Sequence, residues 1–415
     1  MMKFMRVVHV FAGLLLAGAA GAGPVEVAMQ APGVGGMAQE AGTNDGLQVW
    51  IAGFRSRALG QGIAPGTFDG AIRDVSYLPD VIRRDRNQSE FTKTIWDYLD
   101  TAVSEDRVTS GQKALRDHAA LLHRIEAAYG VDQKVIVAIW GLESAFGAVR
   151  GDTRTIEALA TLAYDGRRGA FFEAQLIAAL KILQNGDVTA AQMTGSWAGA
   201  MGHTQFIPTS YLEFAVDFSG DGKRDIWSDD PADALASTAA YLAKSGWVTG
   251  QRWGVEVTLP AGFDYLQSGE RTRKTAAEWQ AMGVSPVAGG TLPDHGPGSV
   301  LLPGGARGAA FLIYANFQVI ETYNTADAYV IAVGHLADRI GGGLELVATW
   351  PREQRALTLP ERVELQERLT VAGFDSGGVD GKIGPLTIAA VRAFQQSIGV
   401  VPDGYPGLDI LIKLR

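Results

Sequence analysis

Over much of residues 45–246 apolar positions recur three and four apart, the spacing that lines one face of an α-helix. The pattern predicts helices in DGLQVWIAGFRSRALGQG (45–62), QSEFTKTIWDYLDTAVS (88–104) and one long amphipathic helix, GQKALRDHAALLHRIEAAYG (111–130). That helix should stop at Gly130, which suits a C′ position, and Asp132 should cap the next one. The new helix runs through VIVAIWGL (135–142), apolar all round, and then reaches Glu143. Further helices are predicted in 153–164, 170–186, 231–246 and 328–343. Between Trp247 and Pro303 the character changes. β-branched runs such as WGVEVTLP (253–260) alternate with Gly/Pro turns, predicting a small strand-containing insertion.

The last stretch, 357–415, repeats itself. VDGKIGPLTIAAV and PDGYPGLDILIKL share D-G-x-x-G followed by an apolar helical run. With ERVELQERLTVAGF they predict about three short helices, near the lower size limit for independent folding. Gly341–Gly343 and TWPREQRALTLP mark the boundary before it. The fold class expected is mainly α (α+β), with a small three-helix C-terminal domain.

The N-terminus reads as an address. A basic MMKFMR precedes the apolar VVHVFAGLLLAGAA and the small residues AGAG, the pattern of a secretory signal peptide over 1–22, cleaved near Ala22. A short membrane anchor is the alternative. Residues 23–42 are Gly/Pro/Ala-rich and read as a flexible linker. The 415 residues contain no cysteine, so neither a disulfide nor a lipid-modified cysteine is available. The expected location is outside the cytoplasm: exported, periplasmic and soluble, with no stable membrane anchor after signal removal. Net charge is −9 without a dense basic run, which argues against nucleic acid as a partner.

Three stretches carry chemistry. Glu143 lies at the C-terminal end of a buried helix, where desolvation and the negative helix end both favour a protonated carboxyl. A carboxyl kept protonated near neutral pH can serve as a general acid. The competing reading is a surface glutamate at a frayed helix end. GSWAGAMGHTQFIPTSY (195–211) combines three glycines with Ser196, Gln205, Ser210 and Tyr211, a polar lining suited to a sugar. A small-residue helix contact is the alternative. Third, Asp217, Ser219, Asp221, the Lys223 carbonyl and Asp225 occupy positions 1, 3, 5, 7 and 9 of an EF-hand-like loop. Position 12 is Ser228, so Asp230 or, preferably, Asp233 has to close the shell around a structural Ca²⁺ or Na⁺. No organic cofactor is expected.

GLESAFG, AGAMGHTQFIPTSY, DFSGDGKRDIW and NFQVIETYN, in that order, resemble the MltB-type (family 3) lytic murein transglycosylases. The likeness covers about Leu47–Trp350, and the tail resembles a peptidoglycan-binding domain. The resemblance implies a lysozyme-like catalytic domain over 43–350 and a peptidoglycan-binding domain over 357–415. It points to Glu143 as the sole acid and base. It also assigns Ser196 and Gln205 to the sugar groove, Arg167 and Arg168 to holding substrate, and Tyr98, Tyr241, Asn316 and Tyr323 to further groove positions. Two departures stand out: Ala240 where the family often has Asn, and His203 in place of a common Tyr. The implied reaction cleaves the MurNAc–GlcNAc β-1,4 bond of peptidoglycan strands, leaving 1,6-anhydro-MurNAc ends. A non-catalytic wall-binding scaffold and a water-using hydrolase are the rival readings. Cell-wall synthesis proteins are a further partner class.

Overall fold

The computed structural model describes residues 42–86 and 93–415. The expected signal peptide and most of the linker lie outside the described residues. Among those described, the chain is mainly helical, with six short strands. It divides into two compact units, one formed by 93–149 and 235–415, the other by 42–86 and 150–234.

In the first unit, the helix Gln133–Ser144 packs against Glu105–Asp117 and Asp327–Ile340. Asp132 caps it, its Oδ1 accepting the Lys134 N–H at 2.8 Å, and every residue from Val135 to Leu142 is buried. Gly130 ends the preceding helix with φ +70°, a conformation that costs glycine little. The long helix expected over 111–130 is instead two, Glu105–Asp117 and Ala119–Tyr129, joined at His118. No Pro or Gly signals the break. His118 leaves helical geometry (φ −108°, ψ 19°), and its ring sits edge-on to buried Trp140, 5.3 Å between centroids. Tertiary packing overrides an unbroken amphipathic pattern here.

The insertion is larger than its strand-like sequence suggests. Strands β1 (Thr153–Arg154) and β2 (Thr194–Gly195) pair in the second unit. The insertion itself contains β3 (Gly254–Thr258), β4 (Ser285–Pro286), β5 (Ser299–Leu301) and β6 (Ala310–Ile313), all antiparallel in the order β4-β3-β6-β5. β6 therefore extends the sheet past Pro303, the expected limit. Val255, Val257, Trp279, Val300 and Leu312 form its core.

The tail contains the three expected helices, Leu359–Val371, Pro385–Ser397 and Leu408–Leu414, around Leu365, Leu369, Val391 and Leu411. Its near-repeat has a physical basis. A buried glutamine from the preceding helix reads each Asp-Gly turn: Gln366 Oε1 accepts the Asp380 and Gly381 N–H groups at 3.0 and 2.7 Å. Gln395 Oε1 accepts the Gly404 N–H at 2.8 Å, and its Nε2 donates to Asp403 Oδ1 at 2.7 Å. The segment leading to the tail is pinned along its length. Glu256 accepts the Val347 and Ala348 N–H groups, Trp350 packs on Trp96, and Arg352 forks onto Asp100 at 2.7 and 2.9 Å. Two direct contacts complete the docking. Arg392 donates to the Ser268 carbonyl and hydroxyl at 3.0 and 2.9 Å, and Asp403 Oδ2 accepts the Ala306 N–H at 2.8 Å.

In the second unit, Thr155–Asp165 and Gly169–Asn185 pack side by side, with Pro65–Ile72 and Pro208–Phe214 against the latter.

Candidate active site

The chain immediately after Glu143 is bent back on itself. Ala145 and Phe146 have φ of +50° and +59°, and Gly147 follows at +84°. Among the described residues the one other non-glycine with positive φ is Gln205, at +54°. Such conformations cost energy and persist where surrounding contacts enforce them. Here the enforcement is visible. The Ser144 hydroxyl accepts the Gly147 N–H at 2.9 Å, and the Phe146 N–H reaches back to the Trp140 carbonyl at 3.2 Å. The Phe146 ring lies against Gly141, where an added Cβ would come within 2.6 Å of it. Ser144 thus ties down the turn that terminates the Glu143 helix.

Glu143 is half-buried, and Tyr329, fully buried on Asp327–Ile340, donates its hydroxyl to Glu143 Oε1 at 2.6 Å. Burial pushes the carboxyl up to about 7, and the Tyr329 bond pulls the other way. Burial, followed by the charge of Glu143, holds the Tyr329 phenol well above its usual range, so it remains a donor. Tyr98 and Tyr323 both act electrostatically on Tyr329, placing these expected residues around the same centre. Tyr241 stacks edge-on with Tyr323, 5.0 Å between centroids, and donates to the Thr322 carbonyl at 2.5 Å. Tyr329 is absent from the sequence expectations because AYVIAVGHL reads as a plain apolar face.

Asn316, expected to face substrate, is placed otherwise. It is fully buried, accepts the Val248 N–H at 2.8 Å and donates to the Val248 and Gln251 carbonyls, both at 2.9 Å. Its amide is spent bracing that turn.

The second unit holds the other expected residues. Ser196 is buried, its hydroxyl accepting the Ala200 N–H at 3.1 Å. Gln205 donates to the Arg150 and Gly202 carbonyls at 3.0 and 2.8 Å. Arg150 in turn donates to the Trp227 and Ser228 carbonyls and to Asp229, and His203 is buried with Nε2 on the Ser228 carbonyl at 2.8 Å. The two arginines differ. Arg167 is committed to the buried Asp85 carboxylate, Nε to Oδ2 at 2.5 Å, whereas Arg168 lies over the Phe171 and Phe172 rings at 4.5 and 5.3 Å.

In the acidic loop, carboxylate oxygens of Asp217, Asp221 and Asp233 lie within 4.8 Å of one another. Asp233 is buried and accepts three backbone N–H groups, from Phe218, Ser219 and Asp225, and burial raises its carboxyl. Backbone donors, Gly222 foremost, hold Asp217 below its usual range. Ser219 donates to Asp217, and the Lys223 N–H to Asp221. Asp225 is not in the converging trio: its Oδ1 caps the next turn, accepting from Trp227 and Ser228 at 2.8 and 3.1 Å. Three carboxylates at this spacing suit a hard cation.

A family model described as the transglycosylase SLT domain matches residues 46–338. The chain belongs to that family. A peptidoglycan binding domain model matches 358–414. The chain is 34% identical over 245 residues to the membrane-bound lytic murein transglycosylase B of Escherichia coli (strain K12), a match spanning 59% of this chain and 66% of that protein's length. The structure of SltB3 from Pseudomonas aeruginosa in complex with NAG-anhNAM-pentapeptide is 52% identical, with TM-score 0.86, covering 89% of this chain and 99% of that one. The Escherichia coli lytic transglycosylase SLT35 in complex with calcium is 30% identical, with TM-score 0.60, over 74% and 95% of the two chains. The family and these relatives make the chain a lytic transglycosylase of peptidoglycan.

Proposed function

We propose that this protein cleaves the MurNAc–GlcNAc β-1,4 bond of peptidoglycan without water, with Glu143 as acid and then base. The observation that carries the reading is a desolvated carboxyl, held near neutrality and aimed by Tyr329. Protonated Glu143 gives its proton to the glycosidic oxygen as the C1–O bond breaks, and the acetamido carbonyl oxygen of MurNAc closes onto C1. The Glu143 carboxylate then takes the C6 hydroxyl proton while O6 displaces the acetamido oxygen at C1. The product is a 1,6-anhydro-MurNAc end, and the carboxyl is returned protonated. Glycosidases usually need two carboxyls; no second carboxyl is among the groups that shift Glu143. The anhydro sugar in the SltB3 complex supports the same product here.

We assign Tyr98, Tyr241 and Tyr323, near Glu143, to the sugar, and assign Ser196, Gln205, Arg167 and Arg168 of the second unit to substrate on the family likeness alone. Asp217, Asp221 and Asp233 are assigned a structural cation, a role supported by the calcium complex of SLT35. The tail is assigned to wall binding. Residues 1–22 are assigned as the export signal to a periplasmic location; among the described residues no helix is long and apolar enough to cross a membrane. Analysis of products from purified sacculi tests the reaction. Anhydro ends are expected; reducing ends would replace it with hydrolysis, and no cleavage with a binding role.

A further inference from the structure

The tail builds one device twice and uses the two copies differently. Leu359, Val363 and Gln366 precede the Asp380–Gly381 turn as Ile388, Arg392 and Gln395 precede the Asp403–Gly404 turn, spaced four and three apart on both helices. In each copy the buried glutamine grips the turn with both ends of its amide. Gln366 Oε1 accepts the Gly381 N–H at 2.7 Å, and Gln395 Oε1 the Gly404 N–H at 2.8 Å. Their Nε2 groups donate to Asp380 Oδ1 at 3.3 Å and to Asp403 Oδ1 at 2.7 Å. The same Oδ1 also accepts an N–H two residues on, from Lys382 at 2.8 Å and from Tyr405 at 3.0 Å. With Oδ1 pinned twice, each carboxylate presents Oδ2 in a fixed direction.

In the second copy that oxygen is taken. Asp403 Oδ2 accepts the main-chain N–H of Ala306 at 2.8 Å, and Arg392 beside the turn donates to Ser268. A carboxylate held in this way therefore accepts a secondary amide N–H. In the first copy Asp380 is exposed, and among the described residues nothing donates to its Oδ2. The Lys382 N–H, then Gln366, hold its carboxyl below the usual range, so it is an ionised acceptor at neutral pH. Arg362 stiffens this turn further, its Nε donating to the Gly381 carbonyl at 2.7 Å.

The side chains flanking the two turns differ as well. A Cβ on Gly404 would come within 2.8 Å of Ile388 and Arg392, whereas one on Gly381 would meet Leu359 at 2.4 Å and Val363 at 3.3 Å. Leu359 is exposed, as is Val379 next to Asp380. The first copy thus sets a rigid acceptor beside apolar surface, where the second sets it beside a cation. We propose, on the reading of the tail as wall-binding, that the Asp380 turn binds a secondary amide of the wall polymer. Asp380 Oδ2 accepts its N–H as Asp403 accepts that of Ala306, and Leu359 and Val363 cover the methyl group beside it. Peptidoglycan offers such an amide from two sources, the acetamido groups of its sugars and the alanine-containing stem peptide.

The test uses the full chain carrying Glu143→Gln, which leaves sacculi intact, with and without Asp380→Asn. Asparagine keeps an Oδ1 for Gln366 and Lys382 but replaces the outward acceptor with a donor. Tm should therefore be unchanged while binding to sacculi weakens about tenfold, the scale of one hydrogen bond to a charged group. Asp403→Asn should do the opposite, lowering Tm and leaving binding. Chitohexaose, which carries acetamido N–H groups alone, and the free wall pentapeptide, which carries main-chain N–H groups alone, are then titrated. The probe whose affinity depends on Asp380 identifies the donor; affinities for both that ignore Asp380→Asn would overturn the site. Amide exchange with and without sacculi, on the unsubstituted turn, decides the matter if the variant folds poorly. Protection gained over residues 377–382 is expected. Protection elsewhere in 357–415 but not there would overturn the site and leave the tail its wall role. None anywhere in 357–415 would remove both.

Discussion

The Tyr329 hydroxyl reaches Glu143 Oε1 across 2.6 Å and 186 residues of sequence. The bond serves two ends: it fixes one carboxyl oxygen, and it limits how far burial lifts the group. Without it, the carboxyl would stay protonated to higher pH and lose its orientation.

Tyr329→Phe separates these effects. Removing a donor to the charged form should raise the Glu143 pKa by about one to two units, since hydrogen bonds to charged groups contribute about 1.5–3 kcal/mol and one unit is about 1.36. The pH–rate profile should shift towards alkaline pH, with a lower maximum. A lower maximum without any shift would leave Tyr329 a packing role alone.

Glu143→Gln keeps shape but has no proton to give. Turnover on sacculi should drop by at least about 100-fold, the scale of general-acid loss, while glycan binding is retained. The same variant should flatten the stability curve. Glu143 is raised from 4.5 to about 7, so its contribution is present in acid and is lost as pH climbs through that window. The Tm difference between variant and wild type should therefore grow from about pH 5 to about pH 8. A variant that digests sacculi at near wild-type rate would remove Glu143 from the chemistry.

Much of the Glu143 environment is legible in sequence, because the cues are local. Asp132 capping, the Gly130 stop and the apolar run before Glu143 each depend on a few neighbouring residues. What sequence does not reveal is contact across distance. Tyr329 reads as one apolar position among several, and Asn316 as a polar residue free for substrate, until folding seals it against residues 248–251. The His118 break comes from a neighbour, Trp140, and not from any breaker residue. In the tail, the D-G-x-x-G repeat is visible, but the glutamines that read it are not. Gln366 and Gln395 look like ordinary polar positions on amphipathic helices.

The docked tail gives a third prediction. Cutting after Trp350 should leave turnover on short soluble glycans largely intact and weaken retention on whole sacculi, because the second binding event is lost. It also removes the Arg392–Ser268 and Asp403–Ala306 contacts, so the Tm of the remaining chain should fall. Arg392→Ala in the full chain should reproduce part of that fall and keep retention. Equal retention by truncated and full-length proteins would exclude a wall-binding tail.

The acidic loop gives the last. Asp217, Asp221 and Asp233 converge, and their mutual repulsion favours the unfolded chain unless a cation offsets it. Asp233 has its backbone donors, but Asp221 offers little beyond the Lys223 N–H contact, so it is the member to remove. With Glu absent from position 12, affinity belongs at the weak end, about 10⁻⁴ to 10⁻³ M. At about 10 mM calcium, mass action then stabilises the fold by about 1–3 kcal/mol. Tm should rise by several degrees at that concentration, and Asp221→Ala should abolish the rise. Asp225→Ala separates loop geometry from ligation. Its oxygen is committed to Trp227 and Ser228, so this variant should melt lower yet keep its response to calcium. Turnover measured well below Tm should be unaffected by a chelator. A Tm indifferent to calcium would refute the cation site, and loss of turnover in a protein that stays folded would refute its structural role.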